Sequence, residues 1–271
     1  MADSPFQSSV SVTYVGTATA ILDIDGVTFL TDPYFSPYGT EWDVGIAKLT
    51  SHYEPALTLE QLPPIDVVLL SHEDHPDNLD ELSRNRLLSG RRVLTTADGA
   101  SKLSPRPGVT GLRAWEKTTL GVGGKLFTVT ATPCQHLPGG ECTGFVLTTS
   151  GFGTTGGLPN AIYFSGDTVY LEELSHIRDS FHVSLAIFNL GAASVVLPGN
   201  DKPLLITMDG AQGAKLFRDL EADMLVPLHF ESWDHFSQSK EVLAHAFGDA
   251  GISDQVYWLE PGKSRRILPI I

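Results

Sequence analysis

A layered α/β fold is what this sequence predicts, and three observations predict it. Short apolar runs of strand-like composition occur in both halves of the chain, helix-patterned segments alternate with them, and chemistry-bearing side chains recur just past the ends of the apolar runs. With 271 residues, 42% of them hydrophobic, and no tandem repeat or low-complexity tract, we expect one domain over residues 1–271 with a substantial core.

The first strands are SVTYV, ATAILDI and VTFLTD, with Asp25-Gly26 as a hairpin-turn dipeptide between the last two. The uninterrupted apolar run VVLL, residues 67–70, suits a strand buried on both faces, and His72 follows its exit. A helix is expected over DNLDELSR, whose acidic first turn suits the helix dipole, and a buried strand over VLTT. The middle reads as strands LFTVTAT, GFVLTT, AIYFSGD and SLAIFNL, joined by glycine-rich linkers. The last part reads as a helix over AQGAKLFRDLEA, a strand over MLVPLH, a helix over KEVLAHAF and a final strand over VYWLE.

Composition limits the partners. With 18 basic against 32 acidic residues the formal charge is −14, which repels phosphate backbones and anionic lipid, so neither nucleic acid nor stable membrane association is expected. A small-molecule substrate remains, because bound metal ions can draw even an anion into one cleft of an acidic protein. Homo-oligomerisation is left open. The only cysteines, Cys134 and Cys142, form neither a CxxC pair nor a disulfide framework, and MADSPFQSSV does not read as a signal peptide; both suit a cytoplasmic protein. The most apolar stretch, Val183 to Leu197, is interrupted by Asn189, Gly191 and Ser194 and falls short of the roughly 20 residues of a membrane helix; its first half reads as a buried strand.

The densest set of metal-binding side chains is SHEDHPDN, with His72, Glu73, Asp74, His75, Asp77 and Asn78 in one strand-exit loop. Imidazole and carboxylate are ligands that zinc, iron or manganese accept. Three distant segments add similar groups, each beyond an apolar strand: His136 in TATPCQH, Asp167 in YFSGDT and His229 in LVPLHFESW. Strand ends in α/β sheets are where loops converge on one crevice.

These segments, together with VTYVGTATAILDIDGVTFLTDPYFS and PPIDVVLLSH, resemble the metallo-β-lactamase superfamily, in the family's order and from about Ser11 to the last strand. The most similar branch holds the ascorbate-6-phosphate lactonases and the N-acylphosphatidylethanolamine phospholipases. The resemblance implies a four-layer αββα sandwich. It implies a first metal held by His72, His75 and His136, and a second by Asp77 and His229, with Asp167 bridging. The family pattern His-x-His-x-Asp-His is altered here by one extra residue and by Asn78 in place of the last His. A gapped register makes His72 and His75 the paired histidines, Asp77 the carboxylate and Asn78 the replacement. An ungapped one makes His72, Asp74 and His75 the ligands, with Leu70 where the first His belongs. The gapped register is favoured because both flanks then agree. Asn78 offers only a neutral amide, a poor ligand beside imidazole, and Asp74 is a candidate compensating ligand. Thr17 stands where relatives commonly carry His.

The expected chemistry is hydrolysis by water activated on one or two divalent ions, zinc first and manganese or iron after it, with Asp77 orienting the water or returning a proton. No Gly-x-Ser-x-Gly elbow is present, and Cys134 has no identifiable base, so it reads as a packing residue. Asp32 and Ser71 are candidates to orient the ligating imidazoles, and His235, Trp233, Tyr34, Phe35 and Tyr38 to face the substrate. The remaining histidines, His52, His176, His182 and His245, read as surface or helix-end residues. A small lactone, cyclic amide or ester is the expected substrate; a small phosphodiester is the enzymatic alternative, and a degenerate member that binds without turnover is the non-enzymatic one.

Overall fold

Asp25-Gly26 closes the hairpin between strands Thr19–Ile24 and Val27–Thr31, with φ 52° and 83° at the two turn residues. These are the positive angles that a two-residue turn matching strand twist requires. The computed structural model describes residues 3–43, 48–197, 199 and 202–269, so Met1 and Ala2 of the N-terminal stretch lie outside it.

This hairpin sits in the first of two large sheets, whose order is Ser264–Leu268, Val10–Gly16, Thr19–Ile24, Val27–Thr31, Val67–Leu69, Arg92–Thr96 and Val109–Leu112. The first four strands pair antiparallel and those after Val27–Thr31 pair parallel. The second sheet repeats the plan. Lys117–Val122, Lys125–Pro133, Thr143–Thr149 and Leu158–Phe164 run antiparallel, and His182–Asn189 and Leu225–Leu228 then add in parallel. Parallel pairs need crossover segments, and these supply the outer layers. Helices Glu81–Arg86 and Ala97–Lys102 serve the first sheet, and the 3-10 segment Glu172–Asp179 with helices Gly210–Asp219 and Lys240–Asp249 the second.

Side-chain alternation divides the core into three interfaces, as four layers require. Val67, Leu69, Ile162, Phe164, Leu185 and Ile187 point between the sheets, while Val68 and Leu70 face the helices of the first sheet. Ala161, Tyr163, Ala186 and Phe188 face those of the second. The unbroken apolar runs are thus strands buried on both faces, and the architecture is the αββα sandwich.

Two element expectations are corrected. The final strand is Ser264–Leu268, at the edge of the first sheet, whereas VYWLE forms only a single bridge, Val256 to Leu225. Arg265 and Arg266 are exposed there, as suits an edge strand, and their charge hides it from an apolar pattern. The helix expected over DNLDELSR begins only at Glu81, because Asp80 caps it by accepting from Ser83 N at 2.8 Å and also holds Phe35 N at 3.0 Å. Asp77 and Asn78 are left in the preceding loop.

The loops that leave the sheets are tied into a common rim. Thr143 N donates to Ser71 O at 3.0 Å, Val169 N to Gln135 O at 3.0 Å and His229 N to Thr17 O at 2.8 Å. Gly166 has φ 59°, and a Cβ there would meet Thr143 O at 2.5 Å, so the turn into Asp167 needs glycine. Among the described residues no helix is long and apolar enough to cross a membrane.

Phe127 packs edge-on against Phe29, with ring centres 5.0 Å apart, at the fully buried inter-sheet interface. Phe127→Ala is expected to cost about 3–5 kcal/mol in chemical denaturation. Its neighbour Leu126 is 64% exposed, and Leu126→Ala is expected to stay within about 0.5 kcal/mol.

Candidate metal centre

Three imidazoles meet at the rim. His72 Nε2 stands 2.9 Å and His136 Nε2 3.0 Å from His75 Nδ1, and the three ligand-type nitrogens lie within 4.8 Å of one another. Two of the rings are fixed from behind. His72 Nδ1 meets Ser71 Oγ at 2.8 Å, and that hydroxyl donates to Asp32 Oδ2 at 2.8 Å; His136 Nδ1 meets the Ile206 carbonyl at 2.7 Å. Such contacts hold the proton on the outer nitrogen and turn the inner lone pair toward the shared point. Burial and the neighbouring His75 and His136 push His72 well below the usual imidazole range, and burial lowers His136 as well. The inner nitrogens of His72 and His136 both face His75 Nδ1, and this donor set fits a divalent cation.

A carboxylate cluster adjoins it. Asp77 Oδ2 lies 3.2 Å from His229 Nε2 and 3.5 Å from His235 Nε2, and Asp167 Oδ1 lies 3.6 Å from His229 Nδ1. Asn189 Nδ2 donates to Asp167 Oδ1 at 2.6 Å. Burial acts to raise Asp77, but hydrogen bonds from His229 and His235 outweigh it and hold the acid well below the usual carboxylate range. For His229 burial opposes the charge, and Asp167 and Asp77 together reverse the effect, raising its pKa. His229 itself has φ 60°, and Thr17, Asp32, Ala192 and Glu231 near it also take positive φ.

Asp32 accepts from Ser71 N at 2.6 Å, from Ser71 Oγ and from Asn78 Nδ2 at 3.0 Å. Asn78 is fully buried and turned away from the histidines, with Oδ1 lacking a partner. Asp74, the candidate compensating ligand, does not join the cluster: it is exposed, 3.8 Å from Lys102 Nζ. The adjacent Glu73 is buried and pairs with Arg84 at 2.6 Å and Lys102 at 3.2 Å. Glu73 is thus engaged with the helices and Asp74 lies outside the imidazole group, while His72 and His75, ligands in either register, converge. Thr17 is buried, with its hydroxyl unpartnered.

Neither thiol belongs to the three-imidazole group, although that of Cys142 contacts His72. Cys134 Sγ donates to Ser165 O at 3.3 Å, and burial pushes the Cys142 thiol, 3.6 Å from His72 Nδ1, well up. His52, His176 and His245 are exposed, and the half-buried His182 pairs with Asp223 at 2.8 Å.

A cavity of about 610 Å³ opens above both clusters. His75, Asp77, His136, Asp167, His229 and His235 form its floor, and Trp42, Leu49, Leu137, Val195, Val196 and Leu197 its walls. Tyr34 and Phe35, expected to face the substrate, are buried instead, Tyr34 against Trp233 at 5.6 Å; Tyr38 is 64% exposed. Trp42, 5.4 Å from the His75 ring, and the 195–197 segment were not expected. The one sequence signal was the apolar second half of the Val183–Leu197 stretch, which leaves the sheet to form a wall.

The family described as the beta-lactamase superfamily domain matches residues 28–230. The chain is 25% identical over 269 residues to a mitochondrial N-acyl-phosphatidylethanolamine-hydrolyzing phospholipase D of Saccharomyces cerevisiae, covering 93% of this chain and 55% of that protein. It thus spans little more than half the length of that relative. It is 22% identical to a UPF0173 metal-dependent hydrolase of Methanopyrus kandleri, covering 93% of this chain and 98% of that one. Among solved structures, the isothiocyanate hydrolase from Delia radicum gut bacteria shares the fold with TM-score 0.75 and 22% identity, covering 94% of this chain and 98% of that one. With the family match spanning most of its length and the αββα fold beneath it, the chain belongs to the metallo-β-lactamase superfamily.

Proposed function

We propose that this superfamily member is a metal-dependent hydrolase that acts on a small, neutral lactone, cyclic amide or ester. The observation that carries the reading is the convergence of His72, His75 and His136 at an apolar-walled cavity whose floor includes His75, His136 and the buried carboxylate of Asp77. A divalent ion held by these three imidazoles, zinc by donor preference, would supply a coordinated water acidified toward a pKa of about 7 and would polarise the carbonyl under attack. The chain's own groups do the rest. The Ser71 hydroxyl and the Ile206 carbonyl hold His72 and His136 in the ligating tautomer. Asp77, ionised at neutral pH, accepts a hydrogen bond from the attacking water and takes its proton for return to the leaving group. The apolar walls exclude bulk water and bind the substrate's hydrocarbon body.

The rival phosphodiester reading draws on the names of the phospholipase relatives. Against it, no lysine or arginine is among the described residues that line the cavity, so a diester anion would meet two carboxylates and no cation beyond the metal.

Metal-replete protein is expected to hydrolyse alkyl-substituted lactones, cyclic amides or aryl esters in preference to bis(4-nitrophenyl) phosphate. His72→Ala and Asp77→Asn should each lower kcat/KM by roughly 10²-fold or more at unchanged fold. Faster turnover of the diester would replace the substrate assignment, and no turnover of any class would favour a binding-only protein.

Asp32 gives a second test, in chelator-treated protein. Burial, reinforced by the charge of Asp167, pushes its pKa up from 3.8 to about 7 despite the hydrogen bonds from Ser71 and Asn78. The folded state therefore keeps a proton that the unfolded state has lost, and Asp32's contribution to stability falls as pH rises from about 4 to about 7. At about 1.4 kcal/mol for each tenfold change in proton affinity, the full effect is a few kcal/mol. In urea denaturation across this window, Asp32→Asn should lose stability relative to wild type at the acid end and regain it toward neutrality. Parallel pH profiles would contradict the assignment.

A further inference from the structure

We propose that Cys134 and Cys142 form a reversible disulfide that closes the base of the loop carrying His136. Strands Lys125–Pro133 and Thr143–Thr149 pair antiparallel, and their last matched residues are Pro133 and Thr143. One step further along that register Cys134 stands opposite Cys142, so the loop over residues 135–141 springs from between the two cysteines. Opposed residues of an antiparallel pair share a face of the sheet, with Cα atoms about 4.5–5.5 Å apart, inside the roughly 4.4–6.8 Å that a disulfide spans. The side chains agree with the register. The Cys142 thiol hydrogen-bonds that of Cys134, and both thiols act electrostatically on the buried Tyr163 hydroxyl. Their separation in sequence hides this pairing, which the strand register reveals.

The pair is placed to be reached. Both cysteines are free and half-buried, and Cys142 lines a second cavity, of about 260 Å³, together with His72, His75 and His136. The oxidant, by class, is a small-molecule disulfide. One protein sulfur attacks a sulfur of the reagent, forming a mixed disulfide and releasing the first small thiol; the other protein sulfur then displaces the second. The two thiol protons of the protein end on the two released thiols, and two electrons pass from the protein sulfurs to those of the reagent. The new bond ties together the ends of loop 135–141, which carries His136 and whose Leu137, Gly139 and Gly140 wall the same cavity. A closed loop holds His136 more rigidly beside His75, so the oxidised form is the slower to release a bound ion. That consequence rests on the metal-dependent reading above; the disulfide does not.

The test incubates the full chain with excess oxidised glutathione and maps its thiols by peptide mass spectrometry, for wild type, Cys134→Ser and Cys142→Ser, each checked for native fold by circular dichroism. We expect wild type to lose the mass of two hydrogens, to yield the cross-linked peptide pair and to recover both thiols with dithiothreitol, while each serine variant keeps a glutathione adduct. Stable adducts on wild type without a cross-link, cross-links only between chains, or thiols that stay unmodified in the folded protein yet cross-link in urea would each overturn the proposal. Zinc-loaded wild type, oxidised and reduced, is then challenged with a chromogenic chelator, and release is expected to be at least about threefold slower from the oxidised form. Equal or faster release would overturn the hold on His136. Zinc bound by neither form would overturn the metal-dependent reading and that consequence with it, while the mapped disulfide stands.

Discussion

Burying ionisable groups without water is costly unless each finds a partner, and this constraint organises the open rim of the sandwich. Asp77, Asp167 and His229 expose 3%, 1% and 1% of their side chains, and Asp32 none. Their partners come from elements far apart in the chain: Ser71 and Asn78 for Asp32, Asn189 for Asp167, His229 and His235 for Asp77. Only a scaffold that fixes six strand ends at one edge can hold such a set. The left-handed backbone at Thr17, Asp32, Ala192, His229 and Glu231 marks where the two sheets impose it. The inward-facing nitrogens of His72, His75 and His136 have only one another as partners, and the donor set they form fits a divalent cation.

Much of this was legible in the sequence because strands buried on both faces announce themselves as unbroken apolar runs. The side chains just past 67–70, 126–132, 161–164 and 224–228 were therefore visible as one set: His72, His136, Asp167 and His229. The register of SHEDHPDN was less accessible. It depends on Glu73 turning outward onto Arg84 and Lys102, ion pairs made with two helices that no local pattern identifies. Asp74, a candidate compensating ligand by residue type, carries no local sign of which way it faces. Ser264–Leu268 was missed because an edge strand bearing arginines lacks apolar alternation, and VYWLE was favoured because it has the composition of a strand without a free sheet edge to join.

The substrate-facing walls were the least legible part. Trp42 comes from a short hairpin and Val195–Leu197 from a segment leaving the second sheet, so the apolar cavity is assembled from positions about 150 residues apart with no shared periodicity. On the proposed reading that wall suits a neutral substrate, because an apolar surround strengthens electrostatic interactions at the polar floor.

The central claim is that His72, His75 and His136 bind a divalent ion, and zinc titration calorimetry on chelator-stripped protein tests it most directly. The account predicts tight, saturable heat in the wild type and at least about a tenfold weaker affinity in His136→Ala, since one of three imidazole ligands is gone. Equal binding in both proteins, or none in the wild type, would contradict it.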